Sequence, residues 1–549
     1  MKVLKSKKQM FLYACSAFGV NLLNIIMGSF LCSALIAKGF GADAIANQTF
    51  AGVDLVVAGG WAAFSLVAKI LDGIIDIPMA SFSDNLKCKW GRRRPTILIG
   101  LVVLIGSYVS FALFTPQHGA TWLNTIYYGI VLCIFYCSYT LTMVSYYATF
   151  TEIVDNEKDR NYISNVKSVC DIVYFIVGYV VVGMMLKGLN IRAVSMILLP
   201  LVLFMLIPLF MIKEPSTRDE DAAGNVDRPQ TVNLIKSIGY TLKNKDFICW
   251  MIVYSFLTFG VQLYLGGINE YFSVTGMSMI YVMVAAFAPV PFTLMIYNNL
   301  IKKKGFRFAI QYVLLVFGLS MAALFAVAFM PNGVGKTIMS IVGGLICSFA
   351  VGAIFSVAYS IPSQLAADDE KRTGISHSAM YFAVQGLFAG IASGLGSGVV
   401  LTALKTANAV MWMTLISSVA CVVAFGFTYI LPQSIVRLGK EDSGAESPKK
   451  EGMVNAVLSV ALAVVAIGLT NLGMATLSSR IAPIVMSVMS LVLVAVGTLL
   501  GLHAIENYIR RKNDAEKPFV PFVVGLVGAS LSLLTIVYSL YVFMTACLL

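Results

Sequence analysis

Lys69-Ile-Leu-Asp72-Gly-Ile-Ile-Asp76-Ile-Pro78 places an ammonium and two carboxylates inside the apolar run 56–82. A run of that length crosses a bilayer as a helix, which needs about 20 residues. The i, i+3 and i+7 spacing of the three charges stacks them along one helical face. Each charge at the centre of a membrane helix costs about 2.5 to 3.5 kcal/mol on insertion scales, so such side chains face a partner or a cavity. Two carboxylates in hydrocarbon therefore need a reason.

The surrounding chain repeats the apolar theme. Runs able to span fall near 11–37, 56–82, 96–115, 123–148, 165–187, 194–212, 247–273, 279–300, 308–330, 337–360, 378–404 and 409–432. That is twelve, six on each side of a hydrophilic break from Lys213 to Asp246. With 58% hydrophobic residues, 12% charged residues and a mean hydropathy of +0.85, the chain reads as an all-α, polytopic membrane protein. The basic N-terminus leads into a run too long for a signal-peptide core, so the first span is expected to be retained.

The net charge of +12 comes from clusters between spans. Lys87, Lys89, Arg92, Arg93 and Arg94 follow the second run; Lys302, Lys303, Lys304 and Arg307 follow the eighth. Basic loops in alternate positions place those loops and the N-terminus in the cytoplasm and leave no basic domain for nucleic acid. The two clusters also align, because Asp84-Asn-Leu-Lys-Cys-Lys-Trp-Gly91-Arg-Arg93 matches Asn298-Asn-Leu-Ile-Lys-Lys-Lys-Gly305-Phe-Arg307 at five of ten positions. Equal placement in each half favours a parallel internal repeat around a central site, although two basic loops can converge on Lys, Arg and Gly independently.

The expected organisation is a six-helix bundle over 1–212, a cytoplasmic linker with an amphipathic stretch over 213–246, a second six-helix bundle over 247–435 and an accessory membrane segment over 436–549. That last segment carries three more apolar runs, near 453–475, 482–502 and 519–547, separated by the basic loop His503 to Pro518. An odd number of spans puts Leu549 outside.

Further intramembrane charges appear in the fifth run, where Lys167 and Asp171 form an i, i+4 pair. Lys69, Lys167, Asp72, Asp76 and Asp171 together lack one positive charge if all are ionised, and a bound monovalent cation or a proton would supply it. The alternative is that these residues only pair with one another to join helices, but Lys69 alone cannot neutralise both Asp72 and Asp76. Trp61, Asn24, Gln262, Asn269, Glu270 and Gln385 are candidates for a polar cavity or for interhelical hydrogen bonds.

No catalytic or metal constellation stands out. Gly333-Val-Gly-Lys336-Thr337 ends like a phosphate-binding loop, but Met330 occupies the position of its first glycine. His118, His377 and His503 lack ligand spacing, and the cysteines read as small packing residues rather than a disulfide or zinc framework. Asn47-Gln48-Thr49 is a glycosylation sequon by pattern alone. An enzyme and a cofactor are not expected.

Lys69 to Pro95, with Asp72, Asp76 and Trp90-Gly-Arg-Arg-Arg-Pro95, resembles the second-span signature of the glycoside-pentoside-hexuronide:cation symporters, the melibiose permease group of the major facilitator superfamily. The resemblance extends over about 1–435 through Ala17-Phe18-Gly19, Tyr139-Thr140 and the Asp155-to-Arg160 loop. It implies the major facilitator fold, two six-helix bundles related by a pseudo-two-fold axis, with the three C-terminal helices as an addition. It also implies a cation site for Na⁺ or H⁺ at Asp72, Asp76 and Thr140. Asn21, Lys167, Asp171 and Lys69 would contact the solute, and Asp84 with Arg92 and Arg93 would form a conformational latch. Met143 stands where the family has a fourth-span acid, Asn21 replaces a sugar-binding acid, Lys167 replaces an Arg, and the eleventh-span Lys falls near Gly390.

The expected function is cation-coupled symport of a glycoside or other sugar in a bacterial inner membrane, where the partners are the solute and the lipid bilayer. Alternatives are a non-sugar or amphiphilic solute, because charged sugar contacts are depleted, and a transporter-like sensor or scaffold that acts through the appended spans.

Overall fold

The computed structural model describes residues 6–212 except 77, 80, 81, 83–85, 92, 116, 151, 152 and 154–156, then 214, 242–373, 378–436, 448–475 and 519–548, with scattered positions between 483 and 505. The expected linker helix over Thr231–Lys243 lies almost wholly outside the described residues, as do Asp84, Arg92, His377, His503 and the Arg510–Lys512 cluster. Helices form nearly all the described secondary structure, and the exception is an isolated bridge between Val56 and Thr121. Hydrocarbon dictates this, because a helix satisfies its own backbone hydrogen bonds.

The helices that position the site are α1 (Lys7–Leu35), α2 (Ala58–Ile74), α3 (Arg93–Leu113), α4 (Trp122–Phe150), α5 (Glu157–Ile176), α6 (Ile191–Met211), α7 (Lys245–Gly266), α8 (Ile268–Thr275), α9 (Met279–Phe287), α10 (Val290–Lys304), α11 (Phe306–Ala328), α12 (Val334–Thr373), α13 (Ser378–Ser393), α14 (Trp412–Phe427), α15 (Pro448–Ala475) and α16 (Phe519–Leu548). Among the described residues nine helical stretches are long and apolar enough to cross a membrane, or ten if α9 and α10 form one broken span. The chain is a multi-pass membrane protein.

Contacts divide the chain into two units, one of Met1–Phe287, Ile354–Met413 and Ile430–Pro432, the other of Ala288–Ala353, Thr414–Tyr429 and Gln433–Leu549. In the first unit, three helices carry a wider π turn, and each turn contains glycine: Ile26–Leu31 within α1, Val177–Val181 following α5, and Gly394–Val400 following α13. Such turns leave the regular i to i−4 ladder and recur at functional sites. Ser29 Oγ and Tyr179 Oη, 3.1 Å apart, join the first two.

In the second unit, Ala322, Phe325 and Ala326 of α11 form a core with Phe329 and Leu415. The appended helices α15 and α16 meet through small residues, since a Cβ on Gly528 would strike Ser459. Thr470, Ser490 and Ser539 share mutual hydroxyl contacts of 2.7 to 2.8 Å. Close glycine contacts and hydroxyl bonding are what hold helices together when the surroundings are as apolar as their side chains.

The aligned decapeptides share local structure. Gly91 and Gly305 have φ of +84° and +86°, each shortly before a helix, a conformation that only glycine adopts readily. Arg93 and Arg307, also aligned, are both buried.

Candidate functional site

Lys69 lies in the middle of α2, and its Nζ sits 4.2 Å from the centre of the Tyr136 ring of α4. Both residues line a cavity of about 30 Å³ that also touches Cys32, Ser65, Ser397 and Lys405. A water needs about 10 to 15 Å³ of such space, so the cavity has room for only a few small groups. The π turns bound this space directly: Gly28 of the first and Ser397 of the third are part of its wall. Chain segments far apart in sequence thus converge on one small polar chamber.

One turn along α2 from Lys69, Asp72 accepts a hydrogen bond from Thr140 Oγ1 at 3.2 Å. The expected second-span acid and fourth-span hydroxyl are therefore in contact. Asp76 departs from the continuous face expected of it. The α2 helix is interrupted at Ile75 and turns helical again at Asp76, whose side chain is exposed. Pro78 explains the break: its ring clashes with the carbonyl four residues back, that of Ile74, and it has no N–H to offer that carbonyl. The Ile74 carbonyl is left between the two acids without its helical donor.

Across the chamber Lys405 forms a buried ion pair with Glu270 of α8, Nζ to Oε1 2.5 Å, and donates to the Ser33 carbonyl at 2.8 Å. Lys405 is 2% exposed and Glu270 fully buried, so neither charge is relieved by bulk solvent. Three segments of the first unit are tied by this one ammonium. Among the described residues Glu270 Oε2 has no hydrogen-bond partner.

The remaining expected solute contacts fall elsewhere. Lys167 Nζ bonds Asp171 Oδ2 at 2.6 Å and lies 5.2 Å from the Tyr147 ring centre, so the pair within α5 neutralises itself. Asn21 is buried and accepts from Tyr139 Oη at 3.0 Å. Neither Asn21 nor Lys167 and Asp171 line the chamber. Trp61 does line it, whereas Gln385 accepts from Trp250 Nε1 at 3.1 Å as an interhelical bond. Of the latch residues only Arg93 is described; its backbone N–H donates to Glu214 Oε2 at 2.8 Å, tying the loop after the second run to the start of the linker.

Glycines let α2 and α13 touch backbone to backbone. A Cβ on Gly73 would collide with the Gly386 carbonyl, on Gly390 with the Lys69 carbonyl, and on Gly394 or Gly398 with Leu66 or Ser65. Gly390, where the family resemblance expects a lysine, thus carries close packing instead.

A larger cavity, about 470 Å³, is lined by Asp43, Gln48, Lys187 and Asn269 among others. It is remote in composition from the charged α2 face, and the Asn47 amide at its edge is engaged with the Leu186 carbonyl at 3.0 Å. The small chamber is the candidate site because Lys69 and Lys405 line it, with Asp72 one turn from the first and Glu270 paired to the second.

The fold is that of major facilitator transporters. Nucleoside transporter NupG superposes with a TM-score of 0.53 at 15% identity, covering 77% of this chain and 99% of that one. A bacterial homologue of the human lysosomal transporter Spinster gives 0.52 at 13% identity, covering 81% and 100%. Residues 12–431 match the MFS/sugar transport protein family, and the chain belongs to that family; it is a transporter and not an enzyme. It is also similar to the lactose permeases of Lactobacillus helveticus, 27% identical over 112 residues, and Leuconostoc lactis, 26% identical over 110. Those matches cover 20% and 19% of this chain, and the chain spans 17% of the length of each of these curated relatives.

Lys405 and Tyr136 were not singled out by sequence reasoning. Lys405 lies one residue past the apolar run 378–404 and reads as interfacial. The signal that could have found it is Glu270, an intramembrane carboxylate in the seventh run with no cation within that run.

Proposed function

We propose that this protein is a cation-coupled symporter that moves a hydroxylated, sugar-like solute by alternating access of two six-helix halves, 1–212 and 247–435. Asp72, Asp76 and Thr140 bind the coupling cation, and the solute occupies the chamber beside Lys69. The Thr140–Asp72 contact carries this reading, because it joins a carboxylate and a hydroxyl from two helices one turn from a chamber-lining cation. Hard cations take oxygen ligands, and the Ile74 carbonyl, freed by Pro78, offers one in place of the acid missing at Met143.

Cation and solute sites one helical turn apart couple reciprocally, each raising the affinity for the other by the same factor. The chamber is too small for a sugar as it stands, and enlarging it requires α13 to part from α2. The N-terminus and the two basic loops face the cytoplasm, and the segment 436–549 contributes accessory spans.

The experiment is entrance counterflow of a panel of labelled methyl glycosides into proteoliposomes, with Na⁺ and pH varied independently. Stimulation of exchange by either cation is expected. Exchange indifferent to both would refute the coupling.

A further inference from the structure

Extending the transport reading, we propose that the protein has a second solute site outside the chamber: the cavity of about 470 Å³ against α8 binds an uncharged, multiply hydroxylated solute through the amides of Gln48 and Asn269. Its volume falls within the roughly 300 to 1,000 Å³ of small-molecule sites, whereas the chamber beside Lys69, at about 30 Å³, does not. Three stretches of the first unit enclose it, 43–48, 183–187 and 269–280. They lie at or beyond the ends of the first, fifth and seventh apolar runs, which share one membrane face opposite the basic loops. With those loops in the cytoplasm, the cavity opens outside.

The wall leaves hydrogen-bonding capacity unused. Asn269 is 4% exposed and its Nδ2 has no partner among the described residues, and Gln48 Oε1 on the 43–48 segment is likewise buried without one. The first is a donor and the second an acceptor, and a hydroxyl answers both. Phe272, Met277 and Met279 are buried on the same wall and offer an apolar surface to the C–H face of a ring. An apolar wall with a few placed polar groups is the usual make-up of a small-molecule site. The charges in the wall, Asp43 and Lys187, are both exposed and opposite in sign, so the buried part selects a neutral solute.

The enclosing segments are fastened to one another. The Gly41 N–H donates to Ser273 Oγ at 2.8 Å, and Asn47 Nδ2 donates to the Leu186 carbonyl at 3.0 Å. Those bonds tie the 43–48 segment to α8 on one side and to the end of the fifth run on the other, which gives the cavity fixed walls. The same α8 links the two sites, because Asn269 lines the outer cavity and the next residue, Glu270, holds Lys405 of the chamber wall. Solute held at Asn269 is thus one residue away from the ion pair in the chamber wall, a waiting position on the route inward.

The test places a reporter at the rim: Lys187→Cys in the full chain, reconstituted in proteoliposomes, labelled from outside by a membrane-impermeant maleimide and read by mass spectrometry of the peptide that carries it. The probes are methyl glucoside, methyl galactoside and myo-inositol, with serine as a zwitterionic comparison. At least one neutral probe is expected to slow labelling severalfold, and adding Gln48→Leu is expected to raise its half-protecting concentration about three- to tenfold, the loss of one hydrogen bond. Gly183→Ala, whose Cβ meets Met279 Sδ at an ordinary 3.5 Å, keeps the protection, while Gly183→Leu fills the cavity and removes it. Protection unchanged by both Gln48→Leu and Gly183→Leu arises elsewhere in the protein and overturns the inference, as does protection by serine alone. No protection by any probe, while the glycosides still exchange in counterflow, overturns the inference and leaves the transport reading in place. Neither protection nor exchange overturns both.

Discussion

Lys405→Met is the substitution whose consequence the structure fixes most tightly. It removes the ammonium 2.5 Å from Glu270 Oε1 and leaves a fully buried carboxylate whose other oxygen has no hydrogen-bond partner among the described residues. Removing one member of a buried ion pair costs about 3 to 5 kcal/mol, because the survivor stays desolvated and uncompensated. Glu270→Gln is milder, since the amide keeps an oxygen for Lys405 while losing the charge. The double variant removes both charges, so most of the penalty disappears with them. Thermal unfolding of the purified protein in detergent, followed for the wild type, both single variants and the double variant, closes a double-mutant cycle. The double variant is expected to melt well above Lys405→Met, with a coupling of roughly 2 kcal/mol or more by that arithmetic. Additive losses, with the double variant the least stable of all, would refute the reasoning.

Three further outcomes follow from individual contacts. Thr140→Val removes the hydroxyl that holds Asp72 and is expected to weaken half-maximal activation by the coupling cation about three- to tenfold, with Thr140→Ser near wild type, read from solute uptake against cation concentration. Gly390→Leu puts a side chain where the Lys69 carbonyl sits, so α2 and α13 cannot close; labelling of Cys32 by a membrane-impermeant maleimide is expected to rise severalfold. Gly91→Ala forces a Cβ into φ +84° and against Glu214, costing about 1 to 2 kcal/mol or more, and should lower the apparent melting temperature in detergent without altering cation selectivity.

The membrane class and the transporter fold were legible because hydrocarbon allows few solutions: apolar runs of about 20 residues must be helices, and charges within them must be accommodated. The link between Asp72 and Thr140 was legible through family resemblance, and the shared turn at Gly91 and Gly305 through the aligned decapeptides. Other features depend on contacts that no linear pattern encodes. Pro78 stands in the quoted stretch, and the helix there is interrupted at Ile75 before it resumes at Asp76, a local break that the spacing alone does not encode. Lys167 and Asp171 satisfy each other within one helix, so their charge points to no solute by itself. Lys405 finds Glu270 135 residues away, and Gly390 serves packing where a lysine was expected.

The central claim is that the carboxylates at the end of α2 couple solute movement to a cation, and Asp76→Asn tests it most directly. Asp76 is exposed and follows the interruption at Ile75, so the substitution leaves the Thr140–Asp72 contact and the chamber wall untouched. Uptake of the best-exchanged labelled sugar is measured in proteoliposomes with and without an inward cation gradient. Equilibrium exchange is expected to persist while gradient-driven accumulation is lost; accumulation equal to wild type would contradict the account.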